Sequence, residues 1–175
     1  MTNPTPNNVF KTELEAVWYC ANYYYKESYD QGIEFGGVIF KRLDNTFGYT
    51  IRKNGGFGGT QINWSDAEVN NQKPTAAWHT HLPSEACDYS QNLMCHVYGL
   101  NDLLFGRSYK HFSGNDLKLA ERANVAGKKI YKQRIAIYLV TADIIRRYDP
   151  EKGQEKYWEK KAPKNMRLAA KQYSY

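Results

Sequence analysis

The sequence predicts an α+β domain built around one β-sheet. Two observations carry that prediction. Segments with helical periodicity and segments with the short apolar pattern of strands follow one another in the order helix, strands, helix, strands, tail. The chain has 175 residues, the length of one domain, and folding at that size removes roughly two thirds of the unfolded chain's surface from water. A core of that extent needs neither disulfides nor a structural metal.

The elements follow in order. Residues 1–10 are polar and read as a disordered leader. A helix opens at Thr12-x-x-Glu15, a capping box in which each side chain satisfies the other residue's backbone N–H. Leu14, Val17, Trp18, Ala21 and Tyr25 recur at helical spacing, and Gly32 is the expected stop. Ile33 to Lys41 reads as a strand containing Gly36 and Gly37, Asp44-Asn45 as a turn, and Phe47 to Arg52 as a second strand. Asn54 to Gly59 (NGGFGG) reads as a flexible hairpin loop. It lacks the Lys-Ser/Thr and the following helix of a phosphate-binding loop. Thr60 to Trp64 is a third candidate strand, and Ser65 to Pro74 is loop-like. Thr75 to His81 (TAAWHTH) reads as a buried strand ending in histidines.

Leu82 to Phe112 has a mixed pattern and reads as an insertion of 31 residues, with a short helix around Gln91 to Tyr98. Loops of that length in compact domains tend to be functional. Ser113 to Gly127 reads as a helix capped by Ser113 and ended by Gly127. Arg134 to Thr141 (RIAIYLVT) and Ile144 to Tyr148 are strands joined by Ala142-Asp143. From Glu151 the chain is helical in character and interrupted by Pro163. The expected organisation is a leader over 1–10, one domain over 11–150 with the insertion 82–112, and a basic C-terminal helical tail over 151–175.

Composition excludes several classes. No apolar run approaches the length of a membrane span. Met1 to Asn8 has neither a basic start nor an apolar stretch, so no conventional signal peptide is expected and synthesis in the cytoplasm is. The three cysteines, Cys20, Cys87 and Cys95, are odd in number and share no repeated spacing, which argues against a disulfide framework. The net charge is +6, and residues 151–175 hold seven Lys/Arg against three Glu. A basic tail can touch nucleic acid, an anionic surface or an acidic partner, but the solvated helix face is the favoured reading and no nucleic-acid partner is expected. The 15 tyrosines suit half-buried rims, since each pairs an apolar ring with a polar tip.

The chemistry concentrates in three short motifs. His79 and His81 are two apart, and on a strand such residues share a face, so both imidazoles can converge on one point while Thr80 faces away. Imidazole nitrogen is a preferred zinc ligand, but a catalytic zinc also needs a third protein ligand and an open position. Ser113-Gly114-Asn115-Asp116 offers that ligand: its spacing puts Ser113 and Asp116 together on the first turn of a helix, where the hydroxyl can also serve a developing oxyanion. Glu34, just before Gly36-Gly37, can act as a proton carrier beside a metal. Each motif has an ordinary reading too. Ser-x-x-Asp is also a helix cap, and two strand histidines are also rim residues.

In this order, Glu34-Phe-Gly-Gly, His79-Thr-His81 and Ser113-Gly-Asn-Asp116 resemble the motif set of JAMM (MPN-type) metallopeptidases. The runs Tyr138-Leu-Val-Thr141 and Arg147-Tyr-Asp-Pro150 are similar to a JAMM-like domain found at the ends of bacterial polymorphic and Rhs-type toxins. The resemblance covers roughly residues 12–150. It implies a JAMM/MPN-like (cytidine-deaminase-like) fold and a Zn2+ ion held by His79, His81 and Asp116. Glu34 is then the general acid/base and Ser113 the oxyanion helper. It further implies a protein or peptide substrate, a cognate immunity protein and export by a type VI-like route. Two features depart from the family pattern: the 31 residues before Ser113, where the family spacing is short, and Leu82 standing between His81 and Pro83.

Two other readings stay open. One is a thiol amidase in which Cys87 or Cys95 pairs with His79, His81 or His96. The other is a JAMM-like scaffold that binds a partner without catalysis. Cys87, Cys95 and His96 form a poor match to structural zinc spacings.

Overall fold

The computed structural model describes residues 8–50, 53–55, 62, 64, 72–83 and 110–159. Helix α1 spans Glu13–Gln31 and starts at the expected cap. Thr12 Oγ1 accepts the Glu15 N–H at 3.2 Å, and Glu15 Oε2 accepts the Thr12 N–H at 3.1 Å. Gly32 closes the helix at φ 62°. That left-handed conformation costs a residue with a side chain roughly 1–2 kcal/mol. Val17, Trp18, Ala21 and Tyr25 form the buried stripe, as their spacing predicts, joined by Cys20, Tyr24 and Ser28.

Seven strands follow: β1 (Phe35–Lys41), β2 (Phe47–Tyr49), β3 (Lys53–Asn54), β4 (Lys73–Thr80), β5 (Ala136–Val140), β6 (Ile144–Asp149) and β7 (Gln154–Glu159), with helix α2 (Gly114–Ile130) between β4 and β5. Six of them form one mixed sheet in the order β2-β1-β4-β5-β6-β7, and the short β3 pairs with the start of β1. Among the described strands only β4 and β5 run parallel. A parallel pair requires a crossover, and α2 supplies it. The fold is therefore α+β around one sheet, as the element order predicts, and that sheet is mixed and flanked by helices.

Strand alternation divides the core into two faces. Phe35, Ile39, Ala76, Trp78, Tyr138 and Val140 pack with α1. Ala77 and Ile137 pack with Ala120 and Leu119 of α2 and with Phe112. Trp78 is fully buried and stacks on Tyr24 of α1, ring centroids 5.8 Å apart. Pro74 lacks an N–H for the ladder, and the β1–β4 register shifts opposite it, between Ile39 and Phe40. Among the described residues no helix is long and apolar enough to cross a membrane.

Three expectations are corrected. Helix α2 does not stop at Gly127 but continues to Ile130 and is capped at Tyr131. Gly127 serves packing instead: a Cβ there would stand 2.6 Å from Ile135 Cγ1 and Cδ1. The second strand ends at Tyr49, with Thr50 outside it, and residues 51–52 of its expected span lie outside the described residues. The helical tail is the third: residues 154–159 form β7, paired antiparallel to β6 from Asp149↔Gln154 to Ile144↔Glu159. The turn between them uses Gly153 at φ 57° and Asp149 Oδ1, which accepts the Glu151 N–H at 3.1 Å. The leader over 1–7, most of the third candidate strand, the body of the insertion over 84–109 and residues 160–175 lie outside the described residues.

Candidate metal centre

Strand alternation places His79 on the α2 side of the sheet, two residues beyond Ala77. His81 lies one residue past β4, and its N–H donates to Val140 O at 2.9 Å, which continues the β4–β5 pairing beyond Thr80↔Val140. The crossover helix starts over this same end of the parallel pair. Its first turn brings Asp116 to the histidines.

The three side chains meet at close range. His79 Nε2 and His81 Nε2 are 3.1 Å apart. Asp116 Oδ1 lies 3.2 Å from His79 Nε2, and Asp116 Oδ2 lies 3.3 Å from His81 Nε2. A tetrahedral ion with bonds of about 2.0–2.1 Å spaces its ligand atoms about 3.3–3.4 Å apart. The His79–His81 separation is close to such an edge, the two Asp116 contacts are made by different oxygens, and one ligand atom from each residue lies within 4.8 Å of the others, so the residues could hold a metal ion. Among the described residues this is the group of histidine, cysteine and carboxylate side chains that could hold one. Nitrogen and oxygen donors of this kind suit zinc and other divalent transition metals.

Asp116 has two tasks at once. Its Oδ2 accepts the Ser113 N–H at 2.6 Å, while Ser113 Oγ accepts the Asp116 N–H at 3.2 Å. The Ser-x-x-Asp spacing is therefore a true capping box and also presents a carboxylate to the histidines. Partial burial by itself would raise the Asp116 carboxyl, but the two imidazoles at its oxygens hold it well below the usual carboxylate range. It stays ionised at any neutral pH. Burial pushes the His79 imidazole down, against the raising effect of Asp116. A neutral imidazole and an ionised carboxylate are the protonation states that a metal requires.

Glu34 lies just before β1, two residues ahead of Gly36, which pairs with His79, and it interacts electrostatically with His81 and Asp116 while standing outside the set of ligand atoms. It is 6 % exposed. Burial pushes its carboxyl up to about 7, with His81 lowering it and Asp116 raising it. A carboxyl poised near neutrality can both take up and release a proton.

A feature that the motifs do not reveal fixes Glu34 relative to the histidines. Thr80, between the two histidines, points to the opposite face of the sheet, as alternation predicts, and is fully buried there. Its Oγ1 accepts the Phe35 N–H at 2.9 Å and lies 2.8 Å from Ser28 Oγ. Ser28 Oγ donates to Ile33 O at 2.6 Å. Both neighbours of Glu34 are thus tied to hydroxyls behind the histidine strand, and Glu34 O accepts the Gly55 N–H at 2.8 Å. The signal in the sequence was a polar Thr at a position whose alternation demands burial.

Of the predicted site residues, His79, His81 and Asp116 converge, Glu34 is buried next to them, and Ser113 joins through the cap while remaining exposed. Cys20 is buried in α1, and burial pushes its thiol well up, away from nucleophilic use. Cys87, Cys95 and His96 lie outside the described residues. No family model matches this chain, and neither does a curated protein or a solved structure.

Proposed function

We propose that the chain is a zinc-dependent hydrolase of amide or isopeptide bonds with a JAMM/MPN-like (cytidine-deaminase-like) fold. One observation carries the reading: two histidines of one strand and a carboxylate from the first turn of the crossover helix meet within 3.1–3.3 Å. The motif order Glu34, His79-x-His81, Ser113-x-x-Asp116 supports the same class. His79, His81 and Asp116 would hold the ion. Zinc, when bound, supplies a Lewis acid that polarises a scissile carbonyl and acidifies water.

The chain's own groups supply the rest. Glu34, with its carboxyl near neutrality, accepts a proton from the attacking water and returns it to the leaving amine nitrogen. The Ser113 oxygen accepts the Asp116 N–H, which leaves its own proton free to donate to the oxyanion. The resemblance to metallopeptidases supports a protein or peptide substrate. The similarity to toxin-associated domains supports a bacterial effector exported by a type VI-like route and neutralised by an immunity protein.

The test is hydrolysis of isopeptide-linked and peptide substrates by purified wild type, by Glu34→Gln and by protein stripped with a chelator. Wild type is expected to turn over with about one zinc per chain. Glu34→Gln keeps the metal and loses activity by two or more orders of magnitude, in the range for a general acid/base. Full activity in the metal-free protein overturns the proposal. Growth of a host expressing wild type against His79→Ala tests the effector role, and equal growth counts against it.

A further inference from the structure

The third ligand reaches the site by a different route from the histidines. His79 and His81 belong to one strand end, whereas Asp116 follows residues 82–112. Where that segment returns, Lys110 Nζ meets Asp143 Oδ2 at 2.6 Å. Asp143 lies in the turn between β5 and β6, and its Oδ1 accepts the Thr141 hydroxyl at 3.1 Å. Thr141 is fully buried, and its Oγ1 also accepts the Ile144 N–H at 3.1 Å. The carboxylate that receives Lys110 is therefore anchored to the body of the sheet. Two residues after Lys110, Phe112 packs against Tyr148 of β6, ring centroids 6.1 Å apart.

These contacts close a ring. It runs from the His81 N–H to Val140 O, through the β5–β6 turn to Asp143, and across to Lys110. It then passes along His111 and Phe112 to the Ser113 cap, and from Asp116 Oδ2 back to His81 Nε2. We propose that Lys110 and Asp143 are positioning residues for the metal centre. Their ion pair fixes the start of α2 against the end of β5 and so sets where Asp116 meets the two histidines. This rests on the zinc-centre reading above. An ion pair this exposed contributes little to global stability. A ligand whose support is loose, by contrast, weakens a metal site, because the site needs its donors placed to within about half an ångström.

The experiment is a zinc titration of the full chain against a chromophoric chelator, at low and high salt. Asp143→Asn and Lys110→Met are each expected to weaken zinc binding roughly three- to tenfold, at or below the usual effect of an outer-shell partner. The metal-free Tm moves by no more than about 2 °C, in keeping with an exposed pair. The charge swap Lys110→Asp with Asp143→Lys recovers part of the affinity, because it restores the ion pair but not the bond from the Thr141 hydroxyl. High salt weakens wild type toward the single variants and leaves those variants nearly unchanged. Wild-type affinity in both single variants overturns this proposal alone. A wild type that binds no zinc overturns the zinc-centre reading and this proposal with it. An affinity loss that the swap does not recover, or that follows an equal loss of metal-free Tm, assigns the pair to the fold and overturns the positioning role.

Discussion

Replacing Glu34 by Gln should stabilise the metal-free protein at alkaline pH while removing its proposed proton carrier. Burial pushes the Glu34 carboxyl from 4.5 up to about 7. Between those values the folded chain keeps a proton that the unfolded chain releases, so stability falls as pH rises through this window. The shift is worth about 1.4 kcal/mol per pKa unit. Across the window the ionised carboxylate therefore costs roughly 3 kcal/mol at most. Gln cannot ionise and escapes that cost. The titrations of His79 and Asp116 occur in both proteins and largely cancel in the difference.

Chelator-treated wild type and Glu34→Gln are to be melted at about pH 4 and about pH 8, either side of the window. Near pH 4 the two should be nearly equal. Near pH 8 the variant should be more stable by up to about 3 kcal/mol, a Tm gain of roughly 6–12 °C for a chain of this length. Adding zinc should shrink the advantage, because a nearby dication favours the charged carboxylate. A variant equal to or less stable than wild type at the higher pH refutes the reasoning, since it would mean that Glu34 is not a strained buried acid.

Other outcomes follow from particular contacts. Thr80→Val leaves the buried Phe35 N–H without the 2.9 Å acceptor and should cost about 1–3 kcal/mol in urea denaturation, with Thr80→Ser close to wild type. Gly127→Ala drives a methyl against Ile135 and should destabilise by about 1–3 kcal/mol despite the better helix propensity of Ala; thermal melts decide. Asp116→Asn should lose zinc binding and also weaken the α2 cap, lowering the metal-free Tm slightly, whereas His81→Ala should lose zinc with the cap intact. At a hundredfold excess of free zinc over Kd, wild type should gain about 2.7 kcal/mol over its metal-free form, read as a Tm rise that His81→Ala lacks.

Much of this was legible where local chemistry decides structure. The Thr12–Glu15 box and Gly32 bound α1 because caps and left-handed glycines act within a few residues. His79 and His81 share a face because alternation on a strand is geometric. Distant contacts were harder to read. Gly127 resembles a helix stop, and only the neighbouring Ile135 shows that its missing side chain is a packing requirement. Glu151, Glu155 and Glu159 recur at four-residue spacing, a helix-surface pattern, yet β6 offers an open edge and 154–159 pairs with it. Trp158 of that strand stacks on Tyr138, ring centroids 6.4 Å apart. The Ser28–Thr80–Phe35 bonds and the Lys110–Asp143 pair join residues far apart in sequence, beyond the reach of spacing arguments.

The central claim, one ion held by His79, His81 and Asp116, is tested most directly by zinc-edge X-ray absorption on the purified chain. About one zinc per chain is expected, bound by two imidazoles and oxygen donors at about 2.0–2.1 Å, and lost in His79→Ala. Sulfur scattering at about 2.3 Å would move the metal to a cysteine site, and a chain that holds no stoichiometric metal would rule out the His79–His81–Asp116 centre.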